Sequence, residues 1–313
     1  MARSRKLRIT TAAVVLAALT AAAAGPASAL PTADKHRKPA ACGAFFDDFN
    51  YSSRTDPNFT GHDWSVRTSA GGPGVDGATW AAGNVSFPVV DGQKSLQLRA
   101  STNGTAAGTT HAQVQQNQQR FFEGTYATRF KFSDTPASGA DGDLVNQTFY
   151  TISPLDYDWD PTYSELDISE YLPNGGWGET GPVDFITSWN TYQVDPFDGW
   201  RISEARRFSH AGWHTLVVTV GGGHVKYYID GSLAADHTDD GAGHTVYPRQ
   251  GMTLNYNQWF IDLTGHAGGT SVYAQSADWV YYAKNEVLTP SAATSRVNAY
   301  RSSGTTHADT ISC

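Results

Sequence analysis

Apolar and polar residues alternate with a period of two along much of the chain, and no stretch carries a sustained apolar period of 3.6. Successive side chains of an extended segment point to opposite faces, so each alternating run predicts a strand with one face turned to a core. The clearest runs are 94–100, 125–132, 145–152, 165–172, 183–192, 213–220, 252–260 and 276–283. Gly221-Gly222-Gly223-His224 predicts a short glycine loop joining 216–220 to 225–229 as a hairpin, and Asp230-Gly231 ends the second strand. Many strands with Gly, Pro, Asn and Asp punctuation predict an all-β chain, and two packed antiparallel sheets suit this length best.

One run breaks the alternation in an informative way. Residues 165–170 read Glu-Leu-Asp-Ile-Ser-Glu. Glu165 and Asp167 share one face while Leu166 and Ile168 line the other; strict alternation would turn Glu170 into the core, where an unpaired carboxylate is costly. One extra residue, a β-bulge at Ser169, returns Glu170 to the face of Glu165. Three carboxylates then cluster on an open sheet face. With the bulge, the Cα atoms of Glu165 and Glu170 stand about 13 Å apart. Side chains leaning together by about 4 Å each leave roughly 5 Å between carboxyl groups, the separation of a retaining glycosidase. Asp167 between them raises the proton affinity of its neighbours, which suits acid catalysis near neutral pH.

Arg3, Arg5, Lys6 and Arg8, an apolar run and Ala27-Ser28-Ala29 predict a signal peptide over 1–29, hence a secreted, extracellular protein, with a disordered lead-in over 30–41. No linker or repeat divides the rest, so 42–313 is expected to be one domain. Of 22 basic residues four lie in the leader, leaving 18 against 30 acidic ones. That balance argues against nucleic acid and anionic membranes as partners, no later segment resembles a membrane span, and a monomer is expected. The only two cysteines, Cys42 and Cys313, sit near the ends of this domain, and in an exported protein they predict a disulfide contributing on the order of 5 kcal/mol in the chain-entropy model.

Other motifs carry less. Gly72, Gly74 and Gly77 satisfy G-x-G-x-x-G, but Pro73 and Asp76 interrupt it and no helix pattern follows. Asp156, Asp158 and Asp160 alternate like the start of a calcium loop, yet Pro161 stands where an EF-hand needs glycine. The ten histidines show no H-E-x-x-H spacing, and there is no G-x-S-x-G elbow. Asn58, Asn84, Asn103 and Asn146 head N-x-S/T sequons.

Ser164 to Tyr171, Ser-Glu-Leu-Asp-Ile-Ser-Glu-Tyr, resembles the active-site strand of glycoside hydrolase family 16, in the bulged form with two residues between the aspartate and the second glutamate. The resemblance continues in Phe122-Glu123-Gly124-Thr125-Tyr126-Ala127-Thr128-Arg129-Phe130-Lys131, Gly212-Trp213-His214-Thr215, Tyr227-Tyr228-Ile229-Asp230-Gly231, Met252-Thr253-Leu254-Asn255 and Asp278-Trp279-Val280-Tyr281, in the family's order. It implies a concanavalin-like β-jelly-roll sandwich whose concave sheet forms the cleft, with Glu165 as nucleophile, Glu170 as acid/base and Asp167 as the assisting carboxylate. No cofactor is required for catalysis; a structural calcium near the chain ends is implied, with Asp278 the matching position, the alternative being a plain surface aspartate. The implied activity is endo-acting retaining hydrolysis of a polysaccharide, first of all a β-1,3- or β-1,3-1,4-glucan. Asp160-Pro161-Thr162-Tyr163 and Ser188-Trp189-Asn190 depart from the laminarinase-like pattern at substrate-facing positions, which keeps galactan and agar among the substrates to consider.

Of the nine tryptophans, Trp64, Trp80, Trp213 and Trp279 are assigned to packing. Trp159, Tyr163, Trp177 and Trp189 flank the acidic strand or its neighbour, and Trp259 follows Asn255; these five are candidates for stacking on sugar, with Asn190 and Asn255 as polar contacts. Two rival readings use the same sandwich. A lectin-like binder would not need three carboxylates, and a polysaccharide lyase would want basic groups for an anionic chain.

Overall fold

The computed structural model describes residues 43–312. The expected signal peptide, the lead-in and the Cys42–Cys313 pair lie outside the described residues. Two sheets pack face to face. One runs, edge to edge, through Trp64–Val66, Thr110–Phe121, Met252–Phe260, Val145–Ile152, Glu165–Leu172, Val183–Gln193 and Asp198–Arg206, every neighbour antiparallel. The other runs through His307–Asp309, Ala44–Asp47, Ser271–Lys284, Gly124–Phe132, Gly212–Gly221, His224–Ile229 and Ser232–His237. Leu96–Thr102 adds to this second sheet along Ser271–Ala277. The architecture is the expected all-β jelly-roll sandwich.

The core between the layers follows from alternation. Phe149, Leu166, Ile168, Ile186, Leu254 and Tyr256 of the first sheet meet Phe45, Tyr126, Phe130, Leu216, Val218 and Tyr282 of the second, all buried. At about 25 cal/mol per Å2 of apolar area, each such side chain stabilises the fold by roughly 1.5–3 kcal/mol. The second sheet is apolar on its outer face as well: Phe46, Ala127, Val217, Trp279, Tyr281 and Ala283 form a separate buried cluster.

A helix that the sequence pattern did not predict, Pro290–Ser302, covers that outer face. Thr289 caps it by accepting the Ala292 N–H, and Pro290 occupies the first turn, where its missing N–H costs nothing. Its apolar stripe is only Ala293, Val297 and Tyr300, whose ring stacks on Phe46 at 4.9 Å. Three apolar residues on a polar helix fall below what a 3.6-residue periodicity detects. Among the described residues no helix is long and apolar enough to cross a membrane.

The helix also corrects the reading of Asp278, which is neither a surface aspartate nor open to calcium. It is 1% exposed, and Arg301 in the last helical turn donates two hydrogen bonds to its carboxylate, at 2.6 and 2.9 Å. Arg129 lies 3.8 Å away. Both oxygens already face positive charge, so a divalent cation there would add repulsion and lose ligands. Asp278→Ala leaves Arg301 without its counter-charge and is expected to cost about 3 kcal/mol, read from denaturant midpoints, whereas a chelator leaves the wild-type Tm in place.

Candidate active site

The bulge forms where it was predicted. On the strand Val183–Gln193, Thr187 faces Asp167 and Phe185 faces Glu170, so Ile168 and Ser169 together oppose Ile186 alone. Ile168 stays in the core, and Ser169 is buried with its hydroxyl donated to Asp184. The extra residue restores the count. Glu165, Asp167 and Glu170 all line one cleft of about 950 Å3 on the open face of the first sheet, at the upper end of the range for ligand sites.

Each acid has its own donor. The Tyr163 hydroxyl donates to Glu165, Trp189 Nε1 to Asp167 at 2.8 Å, and Asn146 Nδ2 to Glu170 at 2.9 Å. Burial raises the proton affinity of all three, Asp167 to about 7 and both glutamates well above the usual carboxylate range. The charge of Asp167 raises both glutamates further, while the three donors, and Arg201 near Asp167 and Glu170, pull the other way. Raised proton affinity in such a cluster is the condition under which one carboxyl acts as acid beside another acting as nucleophile or base.

The expected sugar contacts divide. Trp177, 49% exposed, stands in the cleft wall 5.9 Å from Trp259 and 5.7 Å from Phe185, and Trp189 stands with Tyr192 and Phe197 on the Glu165 side. Trp177, Trp189, Trp259 and Asn255 all line the cleft. Three candidates do not, and each is corrected. Trp159 packs against Trp200 and donates to Gln193 at 2.6 Å, away from the cleft lining. Tyr163 is fully buried and acts on Glu165 from below, so it meets no sugar. Asn190 donates to the Thr245 carbonyl at 2.6 Å and so belongs to a loop contact. Trp64, Trp80 and Trp279 are buried as expected, whereas Trp213 is half-exposed and donates to Asp91.

Several cleft residues escaped the sequence reading. Gln113 and Gln115 come from Thr110–Phe121, a strand so rich in glutamine that its alternation carries little hydrophobic signal. Arg201 lies over the Trp189 ring at 4.6 Å, on an edge strand with hardly a buried residue. Asn146, which the sequence marks only as the head of a sequon, is fully buried against Glu170 and so closed to glycosylation. Its position two residues before Thr148, the partner of Glu170, placed it on the acidic face, a signal that needs the register to be read.

Among the described residues one group, Asp47, His62 and His307, brings atoms that could ligate a metal within 4.8 Å of one another. The two imidazoles stack with centroids 3.5 Å apart and planes 5° from parallel. A metal bonds to an imidazole nitrogen close to the ring plane, and no single ion lies in two parallel planes at that spacing. Asp47 Oδ2 is instead met by Trp64 Nε1 at 2.9 Å, by His307 Nδ1 at 3.1 Å and by the Tyr51 hydroxyl, a network that ties the first described strand to the last.

The chain matches no family model and no curated protein sequence. Solved structures resemble it in fold. A Bacillus licheniformis β-glucanase superposes with a TM-score of 0.52 at 17% identity, covering 77% of this chain and 98% of that one. A glycoside hydrolase family 16 endo-glucanase from Bacteroides ovatus does so with a TM-score of 0.55 at 17% identity, over 75% of this chain and 98% of that one. A protein described as an immunostimulatory antigen and pseudo β-1,3-glucanase of Mycobacterium tuberculosis gives 0.53 at 17% identity, over 77% and 98%. The described domain has the β-jelly-roll fold of these glucanases, with its bulged acidic strand in the cleft of the first sheet.

Proposed function

We propose that the protein is a secreted, endo-acting retaining glycoside hydrolase that cleaves internal β-1,3- or β-1,3-1,4-linkages of a glucan. The observation that carries this reading is the strand Glu165–Leu172, whose bulge turns three carboxyls into a cleft large enough for several sugar units. In the proposed reaction Glu165 attacks the anomeric carbon and Glu170 protonates the departing glycosidic oxygen. Glu170 then takes a proton from water as that water cleaves the glycosyl ester on Glu165, and two inversions give net retention. The charge of Asp167 raises the proton affinity of Glu170, the acid of the first step. The names of two of the similar structures support glucan as substrate.

Incubation with laminarin, lichenan, β-galactan and agarose, with sizing of the products, tests the substrate. Internal cleavage of laminarin or lichenan is expected; cleavage of galactan or agarose alone would move the assignment to those chains. NMR of the first products should show the β-anomer, and initial α-anomer would contradict retention. A non-catalytic glycan binder is the second reading, favoured by the equal fold similarity to the pseudo-glucanase. Glucan binding without release of reducing ends would select it.

A further inference from the structure

Behind the acidic strand lies a carboxyl group that this chemistry leaves unused. Asp184, on the strand Val183–Gln193, stands opposite Tyr171 and is fully buried. Its Oδ1 accepts the Ser169 hydroxyl at 2.6 Å. Ser169 belongs to the bulge, and Glu170 is the residue the bulge turns. The carboxyl is thus tied to the bulge one residue before Glu170. Its other oxygen, Oδ2, has no hydrogen-bond partner, nor has the buried His210 Nε2 3.9 Å away. Unpaired buried polar atoms are costly, and this pair is retained directly behind the cleft.

We propose that Asp184 is a positioning residue for Glu170: it pins the bulge through Ser169 and sets its own charge behind the strand that carries the acid. This rests on the reading of Glu170 as the acid/base. Ser169, His210 and Arg206, which lies across from it on the edge strand, face Asp184. The charges of Asp167 and Asp184 raise the proton affinity of Glu170, and the Asn146 hydrogen bond and the charge of Arg201 lower it. Burial lifts Asp184 itself to about 7, so its charge develops as the pH crosses neutrality, where an acid catalyst would otherwise be losing its proton.

Asp184→Asn preserves the shape and an acceptor oxygen while removing the charge. The alkaline limb of the kcat/KM profile is expected to move down by about one pH unit, because Glu170 then loses its proton more readily. Ser169→Ala, which removes the donor favouring ionised Asp184, should move the limb the same way by about a third as much. A purely structural Asp184 would lower Tm or kcat with the limb unmoved, and that outcome overturns the proposal; if Asp184→Asn does not fold, an unmoved limb in Ser169→Ala does so. Carboxyl carbon-13 NMR titration of Glu170, assigned by its loss in Glu170→Gln, reads the same shifts without turnover. Absence of sugar release would overturn the hydrolase reading, whereas an unmoved Glu170 titration would overturn the role of Asp184.

Discussion

Glu165→Gln is expected to lower kcat on the preferred glucan by about 10^4-fold or more, since an amide forms no glycosyl ester. The same change should leave Tm at pH 7 unchanged or raise it. Burial and the charges of Asp167 and Glu170 lift the folded pKa of Glu165 above its unfolded value of about 4.3, against the pull of Tyr163. A group raised in this way contributes stability that is fully present below the unfolded pKa and is lost as the pH rises through the folded one. At neutral pH the carboxyl is therefore held at a cost to the fold, and a neutral amide of the same shape relieves it. Melts at pH 4 and pH 7 check the sign: wild type and variant should agree at pH 4 and separate, if at all, in favour of the variant at pH 7. Retained turnover would remove Glu165 from the mechanism, and a Tm several degrees lower at pH 7 would show that the cleft acids support the fold.

Glu170→Ala should separate two substrates. On the polysaccharide, whose leaving oxygen needs a proton, kcat should fall by about 10^3-fold. On an aryl glycoside with a dinitrophenolate leaving group the first step needs no proton, so the glycosyl ester on Glu165 should accumulate and appear as a burst. Azide then enters the space left by the side chain and attacks the ester without a general base, and a β-glycosyl azide is the expected product. Equal losses on both substrates with no azide product would assign the proton transfer elsewhere. Asn146 loses its acceptor in this variant, so Asn146→Ala, which removes the donor but keeps the Glu170 carboxyl, separates that loss from the loss of the acid. These two variants interrogate opposite ends of one strand, and the retaining mechanism requires both results.

The local pattern reached far into the site. Period-two alternation is a property of the extended backbone itself, so the strands Val145–Ile152, Glu165–Leu172 and Met252–Phe260 emerge with the bounds read from sequence. The same counting placed the bulge, because three carboxyls and two core residues in six positions admit only one register that keeps every charge out of the core. Where the pattern weakened, the reading failed. Thr110–Phe121 is a central strand whose inward and outward positions are both glutamine-rich, and its buried Gln116 is satisfied by the His62 carbonyl rather than by apolar contact. Aromatic residues near the acids in sequence are natural candidates for sugar contacts, but proximity along the chain says nothing about which face a ring occupies. Tyr163 and Trp189 are both near the acidic strand. One lies beneath Glu165 and the other in the cleft, holding Asp167.

By itself, the sequence determined the all-β class, the bulge and the identity of the three acids, because each depends on how side chains alternate along one continuous segment. Only the tertiary structure decided what surrounds them. Asn146 reaches Glu170 from 24 residues away and Trp189 reaches Asp167 from 22, Arg301 closes Asp278, and Asp184 stands behind the bulge from a neighbouring strand. Such partners are set by strand order and register, which arise from hydrogen bonds between distant segments and leave no mark on the local pattern of either one.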